Sequence, residues 1–200
     1  MHSATAYYPS VGGAQLHWYT IGRMLVERGH SLTALSQWTD QRNRYLLDST
    51  LLAPWENDRY EVGGITVQRV QPGWFQRLWM APLVPWCIPF PEVGYPLMSR
   101  WFARQFAGHV AQADVVHNIR IGREHFSWAS YRLAKQRGAK FFITPNYSPR
   151  MQTRFGGWVM RRFFELLRRS DGVFVFTRAE ADEMVRLGVE RDRVCQIGVG

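Results

Sequence analysis

A glycine-rich turn near the amino terminus is the first segment whose residues could bind a charged ligand. Residues 8–15, YPSVGGAQ, lie between a short apolar segment and a run with helical spacing. Glycines allow a ligand to approach the backbone, and the amino end of a helix offers unpaired N–H groups and a positive dipole to an anion. Gly12 and Gly13 are therefore candidate substrate-binding residues. A tight turn that needs glycine only for its backbone angles is the alternative interpretation.

Polar side chains also lie at or just after the ends of two of the predicted strands. His117 and Asn118 come after a short apolar segment, and residues 144–150, TPNYSPR, carry an amide, hydroxyls and a guanidinium. Open parallel sheets bind ligands at the carboxyl ends of their strands, so Asn146 and Arg150 join these two as candidate substrate-binding residues. A loop cap for the first pair and a proline-stiffened turn for the second segment remain open as alternatives.

Several well-known catalytic patterns are missing. The sequence has no Gly-x-Gly-x-x-Gly, no Gly-Lys-Ser/Thr of a P-loop and no Gly-x-Ser-x-Gly elbow, and it assigns no catalytic residue. A nucleotide-binding oxidoreductase would need an acidic partner about 20 residues after the glycines, where only Asp40 is available. Cys87 and Cys195 lie far apart and outside metal-ligand spacing, so we predict no bound metal and interpret both as buried thiols in a reducing compartment.

The elements that must position these side chains alternate between strand and helix. Strands are predicted over residues 3–8, 31–36, 65–70, 113–117, 140–144, 172–176 and 194–199, and the main helices over residues 14–28, 126–137, 157–169 and 178–187. Thr177 and Glu180 form a capping-box pattern at the start of the last helix. The order predicts one α/β domain over residues 1–200. Its fold would be a Rossmann-like, doubly wound and mostly parallel sheet of about seven strands, covered on both faces.

Two segments do not follow this rhythm. Residues 37–63 are polar and are expected to form a long loop or a small helical excursion, whereas residues 72–106 are rich in tryptophan and proline. Prolines forbid one long helix, so short helices joined by proline turns are expected, with a proper helix near residues 97–111. The second segment interleaves aromatic and basic side chains at Trp74, Trp79, Trp86, Trp101, Arg77, Arg100 and Arg104. It predicts either a packed subdomain or a surface that rests on an anionic membrane.

The composition limits the class of partner. The 25 Lys and Arg residues against 16 Asp and Glu give a net charge of +9, which favours anionic ligands or surfaces. The arginines are scattered and no RNA-binding or helix-turn-helix signature occurs, so no nucleic-acid partner is expected. Neither a signal peptide nor a run of about 20 apolar residues is visible, which predicts a cytoplasmic protein, peripheral at the inner face of the membrane if the aromatic segment makes contact there.

Together these segments resemble a known family. The stretches that carry the resemblance are residues 7–15 (YYPSVGGAQ), 25–33 (LVERGHSLT), 113–117 (ADVVH), 142–146 (FITPN), and 170–200 with its Thr177, Glu180 and LGV close. In the same order they are similar to the N-terminal domain of family-4 retaining glycosyltransferases. The match is weakest over residues 37–112, and it spans most of the rest of the chain.

The resemblance implies a GT-B architecture of two Rossmann-like domains facing a cleft. The N-terminal domain would bind the acceptor, and the C-terminal domain would bind a nucleotide-diphosphate sugar as co-substrate and supply a Glu-x7-Glu motif. That motif is missing here, so a further domain or partner chain is expected, and no metal or bound cofactor is implied. Gly12 and Gly13 match the turn near the donor phosphates, and His117 matches a residue that lines the cleft. Asn146 stands where many members have a histidine that contacts the transferred sugar.

The leading hypothesis is the acceptor-binding half of a sugar-nucleotide-dependent glycosyltransferase. It would transfer a hexose to a lipid-linked or polysaccharide acceptor, and it would be inactive without the donor-binding half. Arg120, Arg123 and Arg150 are predicted to meet an acceptor phosphate. The alternative is a non-catalytic binding module, a truncated homologue that holds an acceptor or a partner chain and shows no turnover.

Overall fold

The structure is a computed structural model that describes residues 1–4, 7–9, 12–37, 59–87, 89–110, 112–120, 124–147, 157–158 and 160–197. Within these ranges the strands form a single eight-stranded sheet in the order β3-β4-β2-β1-β5-β6-β7-β8. The strands are β1 His2–Ala4, β2 Thr33–Ser36, β3 Arg59–Val62, β4 Ile65–Arg69, β5 Val115–Ile119, β6 Lys140–Thr144, β7 Gly172–Val175 and β8 Val194–Gln196. All neighbouring pairs are parallel except β3 and β4.

The seven predicted strands are all present, and the eighth, β3, is the one that the sequence did not predict. It lies inside the polar segment that was expected to be a loop, and its residues alternate between exposed and half-buried positions. Gly63 and Gly64 connect β3 to β4 with φ angles of 58° and 75°. This is the left-handed pair that a two-residue hairpin turn requires. A polar antiparallel edge strand therefore ends the sheet on this side.

Seven helices accompany the described strands. They are α1 Gly13–Glu27, α2 Trp74–Met80, α3 Leu83–Trp86, α4 Pro91–His109, α5 Glu124–Arg137, α6 Arg161–Arg169 and α7 Arg178–Arg186. α2 and α3 are the expected short helices, but α4 runs for 19 residues and continues through Pro96. The helix continues because Tyr95, Met98 and Phe102 are buried on one of its faces, and this packing outweighs the lost backbone hydrogen bond.

The helices cover the two faces of the sheet unequally. α1 packs on one face of β1, β2 and β4, in a cluster that includes Trp18, Ala34 and Val67. Gly22 makes this approach possible, because a Cβ at Gly22 would lie 2.8 Å from the Ile65 Cδ1 atom. α4, α5, α6 and α7 pack against the opposite face.

The uncovered part of the first face lies on β5, β6 and β7. A groove of about 880 Å³ opens there, with Val115, Phe142, Phe174 and Ile197 in its lining. The prediction that β5 is covered on both faces is wrong on one side. Val116 is buried on the helix-covered face, whereas Val115 on the other face is 43% exposed. No described helix covers this apolar groove. β5 is therefore partly exposed although it carries apolar residues on both faces.

The position of β1 at the centre of the sheet determines where a ligand could bind. The chain places β2 and β4 on one side of β1 and then crosses to place β5, β6, β7 and β8 on the other. The direction of winding therefore reverses between β1 and β5. The crevice outside the carboxyl ends of two such strands is the usual ligand site of an open parallel sheet.

Candidate functional site

The amino end of α1 opens at this crevice, where Gly12 and Gly13 follow β1. Gly12 has extended backbone angles, no side chain among the described residues caps the helix, and its first turn holds no acidic residue. The first regular helical bond there is donated by the Leu16 N–H to the Gly12 carbonyl. Within the described residues, a Cβ added at Gly13 would meet no atom of the rest of the fold within 4 Å. The positive end of the helix is therefore open to an anion beside the glycine turn.

Gln15, in the same first turn, is a residue whose importance the sequence did not indicate. Its side chain is 2% exposed, and among the described residues neither atom of its amide has a hydrogen-bond partner. Buried polar groups of native proteins are nearly always hydrogen-bonded, so this amide is a candidate to bind a water molecule or a ligand. The only sequence signal for it was its position two residues after the paired glycines.

Replacing Gln15 by methionine is expected to stabilise the fold and weaken ligand binding. Methionine has a similar shape and no polar group to desolvate, so the free energy of unfolding should rise by about 1–3 kcal/mol in urea denaturation. The matched control is Gln71→Met, because Gln71 is also buried but its amide donates to the Gln37 carbonyl over 3.1 Å. That variant should lose stability. A loss of stability in Gln15→Met as large as in the control would contradict our interpretation.

Arg120 follows β5 at the crevice, but its guanidinium is not available to a ligand. Its Nη2 atom lies 2.6 Å from Oε1 of Glu124, and both side chains are only 4% exposed. The same guanidinium stacks over the Phe163 ring at 3.8 Å. The prediction that Arg120 meets an acceptor phosphate is therefore wrong, because this charge is buried and paired; Arg123 lies outside the described residues.

Asn146 follows β6 with a φ angle of 42°, in the left-handed region that asparagine tolerates better than most residues. Its side-chain Nδ2 donates to the Arg120 carbonyl over 3.0 Å, which ties the end of β6 to the end of β5. The side chain remains half-buried. Asn146 thus lies at the crevice, as predicted, and contact with a sugar stays a prediction. Arg150 lies outside the described residues.

His117 and Asn118 lie inside β5, two positions and one position before its end, and not after the strand as the sequence suggested. The Asn118 amide donates to the Ser3 carbonyl and hydroxyl at 3.2 and 3.0 Å. Asn118 is 1% exposed and its side chain joins β1 to β5, so its contact with a substrate stays a prediction. His117 is buried on the other face, where its Nε2 is 2.9 Å from the Thr144 hydroxyl.

The buried histidines predict a pH dependence of stability. Burial lowers the pKa of His2 to about 3 and holds the pKa of His117 well below 6.5. Below pH 6.5 the unfolded chain therefore binds protons that the folded chain does not, so stability falls as the pH decreases. We expect about 1.4 kcal/mol less stability per histidine at pH 5.5 than at pH 7.5 in urea unfolding. His117→Gln should show roughly half of this fall, whereas equal stability at both pH values would contradict the prediction.

The rim of the crevice joins distant parts of the chain. The His17 ring on α1 lies edge-on to Phe176, with ring centroids 5.2 Å apart, so the end of β7 lies beside α1. The Glu180 N–H donates to the Thr177 hydroxyl, and the Thr177 N–H donates to the Glu180 carboxylate, both over 3.1 Å. The predicted capping box is confirmed, and it explains both residues structurally.

The described residues contain no group of three or more His, Cys, Asp or Glu side chains that could hold a metal. Cys87 is buried, which raises the pKa of its thiol to about 12. Cys195 is exposed on the last strand, so the prediction that both thiols are buried is wrong for Cys195. The candidate site is therefore an open helix terminus with buried polar groups around it, without a metal cluster in the described part.

The sheet, its crevice and the order of its helices have the Rossmann-like architecture of one half of a GT-B fold. The chain belongs to the glycosyl transferase 4-like domain family, whose model matches residues 12–200. The fold and the family predicted from the sequence are thus confirmed. No curated protein matches the chain in a sequence comparison.

Solved structures show the same fold at low sequence identity. The sucrose-phosphate synthase of Thermosynechococcus elongatus is 14% identical with a TM-score of 0.63, and the match covers 100% of this chain and 48% of that one. HepE of Anabaena, in complex with UDP and glucose, is 15% identical with a TM-score of 0.54, over 100% of this chain and 44% of that one. The UDP-GlcNAc 2-epimerase of Methanocaldococcus jannaschii is 12% identical with a TM-score of 0.54, over 99% and 45%. The chain spans less than half the length of each.

Proposed function

We propose that this chain is the acceptor-binding half of a sugar-nucleotide-dependent glycosyltransferase. It binds a lipid-linked or polysaccharide acceptor and cooperates with a donor-binding half, in a further domain or partner chain, to transfer a hexose. The family match supports glycosyl transfer, and the UDP named with HepE supports a nucleotide sugar as co-substrate. No metal or bound cofactor enters the proposal.

The observation that carries this proposal is the open amino end of α1 at the crevice between β1 and β5. In the described part of the chain no side chain caps its backbone N–H groups, and Gly13 leaves space above them; no acidic side chain of the first turn competes for them. A diphosphate held there would be stabilised as it leaves the transferred sugar, because charge builds up on it in the transition state.

The buried polar groups near the crevice suggest how this half is kept in shape. The Arg120 pair and the Asn146 amide hold the ends of β5, β6 and α5 together. The unpartnered Gln15 amide supplies a donor and an acceptor that a sugar hydroxyl or phosphate oxygen could use. We assign substrate binding alone to these residues, and stabilisation of the leaving diphosphate to the α1 terminus. No proton transfer is assigned to any of them.

Binding is tested first on the 200-residue chain by saturation-transfer NMR. The probes are UDP-glucose, GDP-mannose, dextran and an N-acetylglucosamine linked to a short prenyl diphosphate. The proposal expects saturation of at least one saccharide acceptor, with a weaker signal in Gln15→Met than in wild type. No signal from any saccharide would contradict it, whereas acceptor binding without transfer in the presence of a donor-binding half would favour the non-catalytic module.

A further inference from the structure

The outer surface of α2, α3 and the start of α4 is unusually aromatic. Fourteen large apolar side chains are exposed among the described residues, and nine of them lie here or beside it. They are Trp74, Phe75, Leu78, Trp79, Trp86, Phe90, Val93, Leu97 and Trp158, which we call the aromatic face. It includes every exposed tryptophan and phenylalanine of the described chain. Exposed apolar patches of this kind mark interaction surfaces.

The residues of the aromatic face lie on three helices and a neighbouring turn. Trp86 and Phe90 have ring centroids 5.1 Å apart, and the Trp158 indole N–H donates to the Pro89 carbonyl over 3.0 Å. α2 and α3 are separated only by Ala81 and Pro82. The surface therefore brings together residues that are far apart in sequence.

α2 shows that this exposure does not arise from one chance residue. Its inward face carries the buried Met80 and Arg77, and the Arg77 Nε donates to the Pro72 carbonyl over 2.8 Å. Its outward face carries Trp74, Phe75, Leu78 and Trp79, where a surface helix would normally be polar. Arg77 and Trp101 were predicted among the membrane-contacting residues, but Arg77 is buried and Trp101 packs half-buried against the core, so neither belongs to the aromatic face.

Basic side chains border the aromatic face. On α4, Arg100 and Arg104 continue the stripe that begins with Phe90, Val93 and Leu97 at helical spacing. Arg161 stacks over Trp158 at 4.8 Å. Within the described residues none of these three arginines forms an ion pair. Together, α4 and α6 carry six arginines and two glutamates, and both Glu92 and Glu165 are already paired with Arg162.

We propose that the aromatic face inserts into the headgroup region of an anionic lipid bilayer, with Arg100, Arg104 and Arg161 on lipid phosphates at its edge. Tryptophan and phenylalanine partition into this region, and arginine can extend its charge to the phosphate level. No described helix is long and apolar enough to cross a membrane.

Charge complementarity selects a lipid surface over a protein partner. Arg100, Arg104 and Arg161 at its border form no ion pair within the described residues, the chain carries a net charge of +9, and Glu92 and Glu165 are each paired with an arginine. A bilayer rich in anionic lipid offers an apolar layer beneath a layer of phosphate, which is the same order in which these side chains are arranged. Membrane contact would bring the chain to a lipid-linked acceptor, and in this respect the inference rests on the proposed function.

The test is co-sedimentation of the full chain with vesicles, in the absence of donor and acceptor so that it does not depend on transfer. Vesicles of phosphatidylcholine alone are compared with vesicles that contain about 30% phosphatidylglycerol, an anionic lipid that makes the surface potential negative. The chain should bind the anionic vesicles, and salt should weaken this binding. Trp74→Ser/Phe75→Ser/Trp79→Ser should lower the partition coefficient by about tenfold or more.

Matched variants distinguish binding through the aromatic face from non-specific hydrophobic binding. Met24→Ser/Val185→Ser removes two exposed apolar side chains elsewhere and should bind as wild type does. Arg100→Gln/Arg104→Gln/Arg161→Gln should lose most of the preference for anionic vesicles. Quenching of tryptophan fluorescence by brominated lipids in the unchanged chain gives a second readout, independent of whether a variant folds.

Two results would overturn the proposal. The first is that wild type does not bind vesicles. If, in addition, the triple serine variant has a different oligomeric state in light scattering, the face is a protein interface. The second is equal vesicle binding by wild type and the folded triple serine variant. Loss of glycosyl transfer with intact vesicle binding would instead count against the proposed function alone.

Discussion

Glu124→Ala is expected to lower the free energy of unfolding by about 3–5 kcal/mol, because it leaves the Arg120 guanidinium buried without this counter-charge. The pair lies where β5 ends and α5 begins, and the Arg120 backbone bonds to both Thr144 and Asn146. The loss should therefore disturb the crevice as well as the global stability. Urea unfolding followed by circular dichroism measures it.

The control is another glutamate paired with an arginine four residues away. Glu27 pairs with Arg23 at 2.9 Å, but both side chains are more than half exposed. Exposed pairs of this kind often contribute nothing measurable, so Glu27→Ala should unfold as wild type does. Arg120→Met/Glu124→Leu, which removes both buried charges, should recover much of the stability that Glu124→Ala loses. Equal effects of Glu124→Ala and Glu27→Ala would contradict the buried-pair interpretation.

Gly13→Asp is expected to reduce hexose transfer by about 10-fold to 100-fold while the fold stays intact, because a carboxylate would then face the diphosphate. The described part of the chain leaves room for the substitution, since no atom there lies within 4 Å of a Cβ at Gly13. An acidic residue in the first turn of a helix is also favourable to the helix itself. Transfer is measured on protein isolated through a tag on this chain together with its natural partners.

Gly13→Ala separates charge from shape at the same position. It adds the same Cβ without a carboxylate, so it should transfer hexose at nearly the wild-type rate. Thermal unfolding of all three proteins checks that they are equally folded. If the alanine and aspartate variants lost activity to the same degree, glycine would be needed for its shape alone, and the diphosphate would not lie at α1.

The apolar strands and the helix caps were predictable because local chemistry determines them. Thr177 and Glu180 form the capping box that their spacing indicated, and the strands from β5 to β8 were all placed within a few residues. β3 was missed because an exposed edge strand carries the same polar residues as a loop. Pro96 suggested a helix break, but the packing of α4 against α3 and α5, which sequence periodicity does not reveal, holds that helix together.

The candidate site was predictable in position and less so in detail. The paired glycines and Asn146 lie at the strand-end crevice, as the order of elements required. Asn118 and Arg120 also lie near this crevice in sequence. The alternation of side chains along β5 places Asn118 beneath α5, and Glu124 forms an ion pair with Arg120. Burial of a polar side chain depends on contacts that are distant in sequence, such as Ser3 with Asn118. Gln15 could not be predicted either, because only the folded chain shows that its buried amide has no partner among the described residues.

The most direct test of the central claim is incorporation of labelled hexose from UDP-glucose and GDP-mannose into native lipid and polysaccharide fractions. The assay uses the chain isolated with its natural partners, as wild type, Gly13→Ala and Gly13→Asp. Our account predicts incorporation from one of the two nucleotide sugars by the first two proteins, and about a tenth or less by the third. Incorporation no higher than in a sample without the chain, while acceptor binding persists, would contradict glycosyl transfer and leave a binding module.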